Sequence, residues 1–161
     1  MGRTVDERRL RLDDLLAEYE GRAGLNAFKE DFHDEKIQRY FTMDAHELNK
    51  LEPEDCAIAG VELAQLAFHI QRSYNVELAR LNWAESTIQQ EICDQLNGYS
   101  GSFTQKEQQA IKENSFAKEL NKVKTYCKQR MDRLTFVATS IKNLADKIER
   151  LQAAKQYRRD V

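Results

Sequence analysis

Two long stretches of helical periodicity, separated by Gly98-Tyr99-Ser100-Gly101-Ser102-Phe103, confine this chain to an all-α fold. Before the turn, Leu63, Ala67, Ile70, Tyr74, Leu78, Leu81, Ala84, Ile88 and Ile92 recur in steps of three or four. After it, Ala117, Leu120, Lys124, Cys127, Met131, Leu134, Ala138, Ile141, Ala145, Ile148 and Gln152 alternate steps of three and four, a sustained heptad. Val123, Arg130, Val137, Leu144 and Leu151 run beside it at intervals of seven. The pattern predicts one helix from Pro53 to about Asn97 and a second from Thr104 to about Tyr157, each reaching roughly 65–80 Å. The expected architecture is a long antiparallel helical hairpin, coiled-coil-like, over residues 53–161 with its turn at 98–103.

Residues 1–52 read as short N-terminal helices. Val5 to Tyr19 spaces Leu12, Leu15, Leu16 and Tyr19 for one amphipathic face, and Gly21 and Gly24 break it. The aromatics and isoleucine of the next segment (Phe28, Phe32, Ile37, Tyr40, Phe41) are dense enough to expect docking onto the long helices or onto another subunit. Asp44 and Glu47 have the spacing of a capping box, as do Thr104 and Glu107 at the start of the second arm. Glu52-Pro53 ends one helix and opens the next, because proline disfavours helical geometry before it but fits a first turn.

The small net charge of −2 conceals a division along the chain. Residues 1–103 carry 11 basic and 20 acidic side chains, while residues 104–161 carry 14 basic and 7 acidic ones. Either the two arms attract one another or the basic arm offers a face to a polyanion. Lys112, Lys118, Lys122, Lys128 and Arg133 would form that face, continued by Lys142, Lys147, Arg150, Lys155, Arg158 and Arg159. Tyr99, Phe103, Tyr126 and Tyr157 stand where they could stack bases. The plainer reading is that the cations solvate a coiled-coil surface while the aromatics pack. The second apolar row makes the face too wide for one partner helix, so Val123, Val137, Leu144 and Leu151 are expected at an interface with the N-terminal helices or a neighbouring subunit, and a homo-oligomer is expected. Trp83 is expected at that interface or in the seam.

No nucleotide-binding loop, dinucleotide fingerprint or nucleophile elbow occurs, so no enzyme activity and no cofactor is expected. His33, His46 and His69 are isolated, and Asp31-Phe32-His33-Asp34-Glu35 matches no metal-ligand spacing, so no metal site is expected. Cys56, Cys93 and Cys127 are far apart and read as small core residues in a reducing cytoplasm. No apolar run of spanning length and no secretory h-region after Met1-Gly2-Arg3-Thr4 is present, and no membrane partner is expected.

The segment from Ala59 through Leu63-Ala64-Gln65-Leu66 to Leu96-Asn97-Gly98-Tyr99-Ser100-Gly101 resembles the UvsY-type recombination mediators of tailed phages. The resemblance extends over about the last hundred residues, through Tyr126-Cys127 and Ile141-Lys142. It implies an accessory protein of homologous recombination that binds single-stranded DNA as a ring-like oligomer. Such a protein helps load a RecA-class recombinase onto DNA covered by single-strand-binding protein, in the host cytoplasm. That family carries basic residues just before the turn, where this chain has Glu91-Ile92-Cys93-Asp94-Gln95, so DNA contact would shift to the second arm. A coiled-coil scaffold or adaptor, or a structural component of a phage particle, remains the competing class.

Overall fold

The computed structural model describes residues 4–25 and 35–159. It is all-α, with no strand among the described residues. The helices are α1 (Val5–Arg22), α2 (Glu35–Thr42), α3 (Ala45–Lys50), α4 (Pro53–Ile92), α5 (Phe103–Glu113), α6 (Ser115–Leu134) and α7 (Val137–Arg159). Phe28, Phe32 and His33 lie outside the described residues.

The chain forms two compact units. The first holds α1, α4 from Ser73 onward, α5 and α6, and the second holds α2, α3, α4 up to Arg72, and α7. The N-terminal segment is thus shared between the units.

In the first unit, Val5, Ala84, Ile88, Ile92, Ala110, Ala117 and Leu120 form the core, with Trp83, Leu96, Tyr99, Ile111, Phe116 and Val123 packed around it. Ion pairs from Glu77 to Arg130 and from Glu85 to Lys124 set α4 and α6 antiparallel. α1 is docked more by polar groups than by its leucines. The Arg8 guanidinium lies 4.7 Å from the Phe116 ring centroid and pairs with Glu91 at 3.3 Å. Asp13 takes both Nε and Nη2 of Arg80, at 2.8 and 3.0 Å. Leu12 and Leu16 are half-buried, but Leu15 and Tyr19 are exposed, so the apolar face expected for α1 is only half used. Its buried residue is Val5, two turns before the first of those leucines in the core-facing row.

In the second unit, Ile37 and Tyr40 of α2, Cys56, Ala59, Leu63 and Ala67 of α4, and Ile141, Ala145 and Ile148 of α7 form the core. The expected docking of the α2 residues is therefore intramolecular for Ile37 and Tyr40, while Phe41 stays exposed. Small residues let α4 and α7 approach closely. A methyl group on Gly60 would stand 3.1 Å from Cγ of Glu149. Leu63 and Ile148 are wholly enclosed, as Ile92 and Leu120 are in the first unit. Each such side chain contributes about 1.5–3 kcal/mol through burial.

Three local expectations need correction. The second arm is not one helix, since it breaks at Asn114 and at Thr135-Phe136. Asn114 has an extended backbone, ends α5, and caps α6 by accepting from the Ala117 amide at 3.0 Å. Phe136 takes φ +64°, and its carbonyl accepts the first hydrogen bond of α7 from Ser140. The capping box at the start of this arm is Ser102 with Gln105, two residues before Thr104 and Glu107. Gly101, at φ +113°, turns the chain early enough for Ser102 to take the cap. Finally, α4 ends at Ile92 rather than near Asn97, and the chain reaches the turn through a 3-10 turn at Leu96–Gly98. The box at Asp44 and Glu47 forms as expected, with reciprocal bonds of 2.8 and 3.0 Å.

Candidate nucleic-acid interface

The division of charge is spent in part on holding the first unit together. Glu77 is buried on α4, and its carboxylate accepts from Nη1 of Arg80 at 2.7 Å and from Nη1 of Arg130 at 3.2 Å. Lys124 pairs with Glu85 at 3.2 Å. Arg130 and Lys124 are therefore the basic residues of α6 that face α4. Lys118, Lys122, Lys128 and Arg133 are exposed and make no ion pair among the described residues.

The exposed residues are ordered by the helix. Lys118, Lys122, Tyr126, Gln129 and Arg133 follow one another in steps of four, four, three and four, which places them on one face. That face lies opposite the buried row of Ala117, Leu120 and Cys127. It is about 22 Å long at 1.5 Å per residue. Tyr126 is 58% exposed there. Lys128 flanks the row.

The break at Asn114 adds concavity. Between α5 and α6 lies a cleft of about 450 Å³, where Lys112 of α5 meets Lys118 and Lys124 of α6. Thr104, Gln108 and Asn121 supply neutral donors, and Ile111 an apolar patch. Glu107 is the one carboxylate among the lining residues, and Nε2 of Gln89 donates to it at 2.5 Å. Three ammonium groups with amide and hydroxyl donors suit a phosphate group.

The tip of the arm is organised differently from expectation. Tyr99 packs beside the core, and its hydroxyl donates to Oε2 of Glu113 at 2.6 Å. Gln109 donates to the other carboxylate oxygen. These two bonds, with the positive charge of Lys112 beside them, hold the Glu113 carboxyl below the usual range. The same hydrogen bond raises the Tyr99 hydroxyl above its usual value. Tyr99 is thus a brace between the turn and α5, while Phe103, in the first turn of α5, is 60% exposed.

The residues expected at an oligomer interface pack against their own chain. Val123 and Trp83 are half-buried on the first core, and Val137, Leu144 and Leu151 on the second. Along α7, Lys142, Lys147, Arg150 and Arg158 are exposed, as is Tyr157. Lys155 instead donates to the carbonyls of Asn49 and Leu51, closing the end of α3. The sequence reading passed over Lys124, Thr104, Gln108 and Asn121 as lining residues. The signal that could have found them is Asn114-Ser115, an N-cap residue inside an otherwise helical stretch.

Cys127 is buried, and burial followed by its hydrogen bond to Glu77 pushes its thiol up to about 11. Burial also raises Cys56, whereas Cys93 is exposed. Among the described residues no three potential ligands converge on a metal position, and no helix is long and apolar enough to cross a membrane. Compared with protein-family models, curated proteins and solved structures, the chain matches none of them.

Proposed function

We propose that this protein binds single-stranded DNA without sequence preference through α5 and α6, and that it acts as a recombination mediator. In that role it helps a RecA-class recombinase load onto DNA covered by single-strand-binding protein. The observation that carries DNA binding is the exposed Lys118, Lys122, Tyr126 and Arg133 row running from the lysine-lined cleft. Ammonium and guanidinium groups on one helix face can follow phosphates, and Tyr126 and Phe103 offer rings to bases. The mediator role draws on the resemblance of the hairpin and its Tyr99-Ser100-Gly101 turn to the UvsY-type family.

The test is titration of labelled single-stranded oligonucleotides of mixed sequence at several salt concentrations. Five cations (Lys112, Lys118, Lys122, Lys128, Arg133) each meeting one phosphate give a log–log salt slope of about −3.5. Reversal of three (Lys118→Glu, Lys122→Glu, Arg133→Glu) brings it to about −1.4 or abolishes binding, with helicity unchanged because all three are exposed. No binding at low salt refutes the proposal. The mediator role further requires that the protein speed recombinase assembly on DNA pre-covered by single-strand-binding protein. The competing scaffold or adaptor reading draws on the exposed apolar residues Ile58, Val61 and Phe68 of α4, and it predicts that the triple reversal leaves function intact.

A further inference from the structure

The lysine-lined cleft between α5 and α6 is where the cationic surface of α6 stops. From Ser115 to Leu134, α6 carries six basic and two acidic side chains. α5 carries two of each, Lys106 and Lys112 against Glu107 and Glu113. Next to the cleft, and sharing Gln108 and Lys112 with it, lies a groove lined otherwise by Tyr99, Ser100, Gln105, Gln109 and Glu113. That groove adds no cation. Its Glu113 carboxyl is held below the usual range by Tyr99 and Gln109, so it is charged at neutral pH. A phosphate chain that follows Arg133, Lys122 and Lys118 towards α5 therefore meets attraction as far as the cleft and a carboxylate past it.

The cleft also offers more donors than a passing phosphodiester can use. Lys112 and Lys118 reach it from two different helices. Lys124 lies half-buried in the same cleft and is shared with Glu85 at 3.2 Å, while Glu107 is engaged by the Gln89 amide. The side chains of Thr104, Gln108 and Asn121 line the cleft and make no hydrogen bond among the described residues. An internal diester brings one charge and two free oxygens. A phosphomonoester brings close to two charges and three strong acceptor oxygens. It also ends a chain, so nothing has to leave the cleft on the side where Glu113 stands.

We infer that this cleft takes the phosphomonoester end of a single strand, whose following nucleotides lie along the row of Lys118, Lys122 and Arg133. The inference rests on the DNA-binding reading and names its preferred substrate, a strand with a terminal phosphate. It sets the end of the strand at α5 and not at Arg133. A free mononucleotide brings the same group to the cleft but none of the contacts along α6.

The test compares mixed-sequence oligonucleotides of equal length that carry a 5′ phosphate, a 3′ phosphate, or hydroxyls at both ends, each titrated against the full-length protein. Added hydrogen bonds between charged groups predict that a phosphorylated form binds about fivefold or more tightly than the hydroxyl-ended one. Any cationic surface gains something from an extra negative charge, so position decides. Lys112→Gln should bring the ratio of affinities to about one, whatever it does to binding as a whole. Arg133→Gln, about 22 Å along α6 from Lys118, should weaken all three forms and keep the ratio. Lys112 and Arg133 are both exposed, and unchanged circular dichroism confirms that neither variant alters the fold. Deoxyadenosine 5′-monophosphate should compete only far above the concentration at which the oligonucleotide binds. Equal affinity for all three forms, a ratio that survives Lys112→Gln, or displacement by the mononucleotide at oligonucleotide concentrations would each overturn the inference and leave DNA binding standing. Failure of every form to bind at low salt would instead refute the DNA-binding reading, and this inference with it.

Discussion

Glu77 is where the charge pattern of the chain is used most heavily, and its removal has a calculable consequence. Its carboxylate serves two arginines from a site where its side chain is only 10% exposed. The bond to Arg80 is short, at 2.7 Å, and largely shielded, since the Arg80 side chain is 21% exposed. A hydrogen bond to a charged group of this kind contributes about 1.5–3 kcal/mol. The Arg130 side chain is 52% exposed, so its share is discounted for solvent screening to about 0–1 kcal/mol. Glu77→Ala should therefore cost about 2–3 kcal/mol. It falls short of the 3–5 kcal/mol expected when a buried charge is left alone, because Arg80 keeps its two bonds to Asp13. The same reasoning makes Asp13→Ala and Glu77→Ala non-additive. Either one leaves Arg80 a carboxylate, and only the double variant leaves it none. The double variant should cost about 1–2 kcal/mol more than the two single effects together. Urea unfolding followed by circular dichroism measures all four corners of the cycle. Effects that add to within about 0.5 kcal/mol would refute the reasoning, because Arg80 would then not be the shared partner.

Two further outcomes follow from groups elsewhere in the molecule. In the native protein a thiol reagent at mildly alkaline pH should modify Cys93 quickly, and Cys56 and Cys127 only as the chain unfolds, because both are buried and Cys127 stays protonated up to about 11. Mass spectrometry of the partly modified protein checks this, and rapid labelling of Cys127 would contradict the packing of α6 on Glu77. Tyr99→Phe should lower the melting temperature at neutral pH and lose that effect in acid. A carboxyl held below its usual range stabilises the fold above that range and ceases to as the pH falls through its lowered value, and Glu113 is such a group. Melting curves of the two proteins that stay equally far apart at neutral and acid pH would show that the effect does not come from the hydrogen bond to the ionised Glu113 carboxylate.

The fold was legible to the extent that it follows from side-chain spacing. Ala117, Leu120, Cys127, Ile141, Ala145 and Ile148 were predicted as one row and are all buried. Leu63, Ala67, Ala84, Ile88 and Ile92 opposite them are buried likewise, because apolar spacing of three and four fixes which face turns inward. Polar docking was less legible. For α1, the spacing of Leu12, Leu15, Leu16 and Tyr19 gave a face, but the helix is positioned by Arg8 and Asp13, which read as solvent-facing charges until Glu91 and Arg80 are found opposite them. The candidate site divides in the same way. That Lys118, Lys122 and Arg133 share an outward face follows from their spacing. The same spacing sets Lys124 and Arg130 in the inward rows, but their partners Glu85 and Glu77 lie more than thirty residues away and are not given by it.

Asn114 shows why the cleft itself escaped a reading by periodicity. A heptad records which residues face inward, and it is blind to a break that keeps the phase. From Ala117 to Ile148 the row continues without a shift across Thr135-Phe136, because Leu134, Ala138 and Ile141 keep their steps of four and three. Upstream, Ala110 is buried seven residues before Ala117, so the row also passes Asn114 in phase. What interrupts the helix there is a side chain competing for the backbone. The Asn114 amide oxygen takes the hydrogen of Ala117, its own amide hydrogen closes α5 on Ala110, and its backbone stands extended between. The change of direction brings Lys112 and Lys118 to one cleft from two helices, rather than leaving them six positions apart along a single one. Restoring the helix by Asn114→Ala should therefore do more than remove a cap. It should straighten the arm, separate Lys112 from Lys118, and weaken binding of single-stranded DNA without removing a single positive charge.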